Sequence, residues 1–251
     1  MKVLLTIALF LFSSFLIGEE KKEYMQYESI LITPDYKNLE KLSNNMAKHN
    51  KKYHSSDPYR ARVYNVTTGT DVGKLYWIMG ATTFAHLDNR PSDGGHDKDW
   101  QGNIMPYVTK LEHGEYWRFM EDMVIDNHKD WEENPLEIWL IRYMSVTPGE
   151  GSKIKDLLAK VKATIDKSGK AKFWGVMDNQ FIQGKYNGRH LMGISGSNSW
   201  ADMDDDWNFK KHFEGIHGEG SMEGFNKEME QVFSNSWQET QVLNKKMSGM
   251  E

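Results

Sequence analysis

The sequence has no cysteine. Disulfide staples, thiolate metal sites and a lipid-anchored cysteine are therefore excluded, and the chain must be stabilised by its cores. It also has no Gly-x-Ser-x-Gly elbow, no phosphate-binding loop and no His-Glu-x-x-His. The motif-defined routes to hydrolase, nucleotide and zinc-protease chemistry are thus missing. No basic patch rises above the background, so nothing marks a nucleic-acid partner. Beyond the first residues, no apolar run is long enough to cross a bilayer.

The apolar run that does exist opens the chain: "MKVLLTIALFLFSSFLIGEEKKE". Lys2 precedes Val3–Phe12, Ser13 and Ser14 interrupt, and charge begins at Glu19. This is the layout of a secretory signal. Residues 1–18 are expected to be a signal peptide and the mature chain to be exported, periplasmic or secreted, without a membrane attachment. An uncleaved anchor is the competing reading, against which the short, serine-broken run argues. Loss of Lys2 takes the formal charge from −5 to −6. The remaining length suits one large domain or two small ones.

An internal repeat supports two. "RARVYNV" at 60–66 lines up with "KAKFWGV" at 170–176, and "LYWIMGATTFAHLD" at 75–88 with "LMGISGSNSWADMD" at 191–204. "FMEDM" at 119–123 matches "FNKEM" at 225–229, and "WEE" at 131–133 matches "WQE" at 237–239. The halves are 24–135 and 136–247. Each begins with an apolar, β-branched strand ending at proline, 27–34 and 137–148. A helix follows: Leu39, Leu42, Met46, His49 and Tyr53 share one face, as do Ile154, Leu157, Leu158, Val161 and Ile165. Two strands come next, 60–68 with 74–83 and 170–183 with 189–198. A mostly helical stretch, 97–127 or 205–234, and a last strand near Trp131 or over Trp237–Leu243 complete each half. The order is β-α-β-β-α-β, the ferredoxin-like unit. Both faces of 138–146 are apolar, so two such sheets are expected to pack face to face.

This α+β pattern of tandem ferredoxin-like repeats resembles the dimeric α/β-barrel superfamily in fused, pseudo-dimeric form. That superfamily includes antibiotic-biosynthesis-type monooxygenases, stress-responsive barrel proteins and the haem-binding chlorite-dismutase-like group. The resemblance covers the mature chain and rests on topology and the repeat, not on a motif. It implies a small-molecule cleft between sheet and helices. The expected function is binding of a small apolar or aromatic molecule, and an oligomer is compatible with it. The alternative is an enzyme, either a cofactor-independent monooxygenase or a haem protein. No cofactor is assigned from the residues themselves, and haem enters only through the resemblance.

Candidate residues follow from chemistry and position. "EHGE" at 112–115 and "IHGE" at 216–219 place His113 and His217 at matching points before the last helical turns. Either could be a general base or a haem ligand, but an inherited helix break is the favoured reading of both. Of the two, His217 better suits the haem version. Arg142 interrupts an apolar strand face, where it could anchor an anion or pair with Glu28 across a pseudo-twofold axis. Trp77, Trp174 and Tyr64 on strands, with His190 nearby, would be core or would line an aromatic pocket. "DMDDDW" at 202–207 reads as helix capping rather than a calcium loop. "HLDNRPSDGGHDKDW" at 86–100, with His86 and His96, matches no tight ligand spacing and reads as surface loop. No metal site is assigned.

Overall fold

Both faces of Ile138–Val146 are apolar because the strand (β5) separates two apolar environments. Ile141 and Tyr143 point into the lumen of a closed barrel, whereas Met144 and Val146 point outward onto helices. The computed structural model describes residues 24–90, 94–181 and 188–251, and the expected signal segment lies outside them. The first half runs Gln26–Pro34 (β1), Leu39–Tyr53 (α1), Ala61–Val66 (β2), Leu75–Thr82 (β3), Phe84–Asp88 (α2), His96–Asp99 (α3) and Val108–Asp126 (β4). After β5 come Ile154–Ser168 (α4), Phe173–Asn179 (β6), Leu191–Ser197 (β7), Phe209–His217 (α5), Ser221–Val232 (α6) and Phe233–Leu243 (β8). The strands close in the order β1-β3-β2-β8-β5-β7-β6-β4, with β4 returning to β1 and all neighbours antiparallel. No helix among the described residues is long and apolar enough to cross a membrane.

Three apolar regions result. Outside β1–β3, Leu42 and Met46 of α1 pack on Ile32, Val63, Trp77 and Met79 of the strands. Outside β5–β8, Leu158 of α4, Phe213 of α5 and Phe225 of α6 pack with Met144, Trp174 and Val176 of the strands. The lumen holds Trp117, Phe119, Ile141, Tyr143, Phe173, Met177 and Ile194 at one end and Leu31, Val66 and Tyr76 at the other.

A charged network lies within this lumen. Arg189, just before β7, donates from Nε to Glu115 Oε1 and from Nη2 to Glu115 Oε2, both at 2.7 Å. Their side chains are 4 % and 1 % exposed. Arg189 Nη2 also donates to the Tyr76 hydroxyl at 3.2 Å, and its guanidinium lies 3.7 Å from the Tyr143 ring centroid. Trp117 Nε1 donates to Glu115 Oε2. The Tyr143 hydroxyl meets Tyr76 and Glu239, and Gln241 donates to the same Glu239 oxygen. Burial pushes the Tyr76 and Tyr143 hydroxyls and the Glu239 carboxyl up.

Several expectations from the sequence need correction. The stretch 97–127 is not mainly helix. Short helical pieces end at Tyr107, and β4 occupies 108–126. The alternation of Glu115, Trp117 and Phe119, all buried toward the lumen, sets period two there. "FMEDM" is therefore strand and its apparent match "FNKEM" is helix α6. The last strand of the first half is β4, and Trp131 lies beyond it in a turn, stacked on Trp139. The match of 60–66 with 170–176 is one residue out of phase. Val63 faces outward, whereas Phe173 faces the lumen. The expected barrel is present, and it is closed: β2 pairs with β8 and β4 with β6.

Glu115→Ala strands Arg189 as a buried, unpaired charge and should cost about 3–5 kcal/mol, read from urea unfolding. The double variant Glu115→Leu/Arg189→Met should lose less than Glu115→Ala alone. A single-variant loss within about 1 kcal/mol, as for a surface ion pair, would contradict this account.

Candidate functional site

A cavity of about 550 Å³ lies between the outer face of β5–β8 and the helices α4–α6. Its sheet wall includes Leu140, Arg142, Met144, Trp174 and Val176, and its helix wall includes Leu158, Val161, Phe225 and Met229. A side pocket of about 160 Å³ adjoins it, and Arg142, Met144, Met229 and Glu230 wall both spaces. The polar end therefore lies where the two meet. Arg142 is anchored by Gln238: with its amide oxygen turned toward the guanidinium, Gln238 accepts from Nε at 3.0 Å and from Nη2 at 2.8 Å. A cation in a mostly apolar and aromatic wall, which also carries Ser195, Asn226, Glu230 and Gln238, is a handle for one acceptor or anionic group.

The sequence explains why this space is open here and filled in the first half. Both β3 and β7 run into a capping box, at Thr83 and Ser199. Counted back from these caps, Trp77 and Met79 on β3 stand where β7 has Gly193 and Ser195. Trp77 and Met79 are buried in the core under α1. Gly193 and Ser195 line the cavity. A Cβ built on Gly193 would meet only Met144 Cε at 3.7 Å and the Arg142 carbonyl at 3.9 Å, which is ordinary contact. Backbone crowding does not impose glycine there. Its small size leaves room.

The candidate residues divide between these environments. Arg142 and Trp174 line the cavity. Trp77 lies in the first-half core, donating to Asn50 Oδ1 at 3.0 Å. Tyr64 faces the lumen, where burial pushes its hydroxyl up to about 12. His190 Nδ1 accepts the Val146 backbone N–H at 2.8 Å and pins the β5–β7 edge. Glu28 does not pair with Arg142. It accepts from Arg90 and from the Tyr116 hydroxyl. Glu28 and Arg142 face outward on different walls, so the barrel separates them. His113 and His217 are not structural counterparts. His113 is on β4, in line with Glu115, and burial lowers its pKa with help from the Arg189 charge. His217 ends α5, exposed, with its ring 4.5 Å from that of Phe213. Asp202 caps a short 3-10 turn and binds Lys172 at 2.7 Å, in line with a capping role.

No histidine, tyrosine or cysteine lines the cavity among the described residues. The residues present therefore lack the imidazole, phenolate or thiolate that holds haem iron, and a methionine ligand is ordinarily paired with histidine. Among the described residues the cleft offers none of these ligands, and His217 is not part of its lining.

No protein-family model matches the chain, and no curated protein matches it. Solved structures do. A proposed monooxygenase from Fusobacterium nucleatum is 8 % identical with a TM-score of 0.58, covering 88 % of this chain and 93 % of its own. A mutant chlorite dismutase from Candidatus Nitrospira defluvii is 6 % identical with a TM-score of 0.52, covering 90 % and 95 %. A heme-binding protein from Thermus thermophilus is 8 % identical with a TM-score of 0.50, covering 90 % and 92 %. At such identities the likeness is one of fold, and the fold shared is the dimeric α/β barrel.

Proposed function

We propose that this chain binds one mostly apolar, aromatic-sized molecule carrying an anionic or acceptor group in the cleft between β5–β8 and α4–α6. The observation that carries this reading is the replacement of the Trp77 and Met79 positions by Gly193 and Ser195, which opens the cavity beside Arg142. Apolar burial would supply affinity, and Arg142 would orient the polar group. We read the chain as a tandem duplicate, 24–135 and 136–247, whose second copy carries the cleft and whose first copy is filled. Oxygenation of the bound molecule is the runner-up and rests on fold likeness. Among the described residues, the titratable side chains on the cavity wall are Arg142 and Glu230, an anchor and a single carboxylate rather than an assembled acid–base pair.

The test uses 1-anilinonaphthalene-8-sulfonate, an aromatic anion. One molecule should bind per chain with enhanced fluorescence. Gly193→Trp should weaken binding at least about tenfold, or about 1.4 kcal/mol, with unchanged circular dichroism. Arg142→Leu should weaken it through loss of the sulfonate contact. Equal binding by Gly193→Trp would place the dye elsewhere and defeat the reading. Oxygen uptake during incubation with hydroxylated polycyclic aromatics would favour the runner-up.

Export is part of the proposal, supported by Lys2 and the apolar run Val3–Phe12. N-terminal sequencing of the protein from its producing cells should find a chain beginning near Glu19. A full-length chain confined to membranes would contradict export in soluble form.

A further inference from the structure

The first-half core contains three imidazoles in mutual contact. His49 lies in the last turns of α1, His54 follows its end, and His96 opens α3. Their ring centroids are 4.9–5.3 Å apart. Each offers a ligand nitrogen, and these nitrogens lie within 4.8 Å of one another. His49 and His54 are 1 % and 3 % exposed, while His96 has a side chain 14 % exposed and leaves one edge toward solvent.

The hydrogen bonds fix which nitrogen each ring presents. His49 Nδ1 is 2.7 Å from Asp99 Oδ2, His54 Nδ1 is 2.8 Å from the Tyr59 carbonyl, and His96 Nδ1 is 2.8 Å from Asp97 Oδ1. All three partners are acceptors, so each Nδ1 carries the proton and each neutral ring turns an Nε2 lone pair toward the others. His49 Nε2 is buried with no hydrogen-bond partner. His54 Nε2 and His96 Nε2 stand 3.1 Å apart. Two facing lone pairs at that distance need a proton or a cation between them. Histidines bound to metal are oriented in this way, with the distal N–H given to a carboxylate or carbonyl. Tetrahedral zinc with bonds of about 2.1 Å separates its ligand nitrogens by about 3.4 Å. The His54–His96 pair is already near that spacing.

We propose that His49, His54 and His96 bind one divalent transition-metal cation of the zinc class through their Nε2 atoms. Asp99, the Tyr59 carbonyl and Asp97 orient the rings, and water supplies the fourth ligand from the His96 side. Imidazole ligands favour zinc, copper, nickel and cobalt over magnesium or calcium. The metal joins the end of α1 to the segment preceding β4, on the opposite side of the barrel from the cleft of the second half. The site is independent of the ligand proposed there.

Full-length mature protein, treated with a chelator and exchanged into metal-free buffer, should take up one Co²⁺ per chain. It should then show the visible bands of a four-coordinate ion, and Zn²⁺ should displace the cobalt stoichiometrically. His96→Ala, at a partly exposed position, should lower zinc affinity at least about tenfold with unchanged circular dichroism, and His54→Gln should do the same. Asp97→Asn should lower it about tenfold, the lower end of the range for an orienting partner. The proposal is overturned by absence of stoichiometric cobalt binding, the outcome if a proton alone bridges His54 and His96. It is equally overturned by affinity that His96→Ala and Asp97→Asn both leave unchanged. If His54→Gln does not fold, those two variants still decide the question.

Discussion

The bidentate contact between Arg189 and Glu115 is the constraint that the barrel depends on. Neither charge can be buried alone without a penalty of several kcal/mol, so the lumen tolerates each only because the other is present. The contact joins β4 of the first half to the start of β7 in the second. Tyr76 on β3, Tyr143 on β5 and Glu239 on β8 connect to it by hydrogen bonds and a cation–π contact. Members of the network thus come from both halves and from opposite parts of the strand order. A lumen of aliphatic side chains could close with several registers. A lumen that must satisfy these polar atoms has far fewer solutions.

With the lumen occupied by side chains, the cavity under α4–α6 lies outside the barrel wall. The same strand residues that face inward fix, through alternation, which residues face the helices. On one side, Trp77 and Met79 fill the layer under α1, and three histidines pack against it. On the other, Gly193 and Ser195 leave a cavity under α4–α6. Similar strand layouts thus support a dense layer with a cation-ready histidine cluster and an open layer with an arginine handle. Trp77 and Met79 against Gly193 and Ser195 are the outward-facing residues that differ in size between the two layers.

Much of this was legible in the sequence. The strands 27–34, 137–148 and 74–83 and the two long helices announced themselves by period, and the apolar faces of 138–146 foretold two packing environments. Trp174 and Arg142 could be nominated because an aromatic and a lone cation on strand faces point to a pocket wall. The failures have physical causes. Stretch 108–126 mixes charge with aromatics, so that a short similarity to "FNKEM" outweighed its period-two alternation. The one-residue slip between 60–66 and 170–176 exchanged inward and outward faces, which made Tyr64 and Trp174 look equivalent. The histidine cluster was hidden because His96 is more than forty residues beyond His49 and His54, in a segment whose glycines and aspartates suggest solvent. The available signal was the α1 stripe, where His49 continues the buried line of Leu42 and Met46.

The central claim is that the second-half cleft, and not the lumen or the first-half layer, receives the small molecule. Methyl-labelled methionine NMR tests it directly, because Met144, Met222 and Met229 line the cleft while Met46, Met79 and Met247 lie in the first-half core. Addition of 1-anilinonaphthalene-8-sulfonate should shift the first three resonances to saturation at one equivalent and leave the other three in place. Shifts confined to Met46, Met79 and Met247, or spread evenly over both groups, would contradict the account.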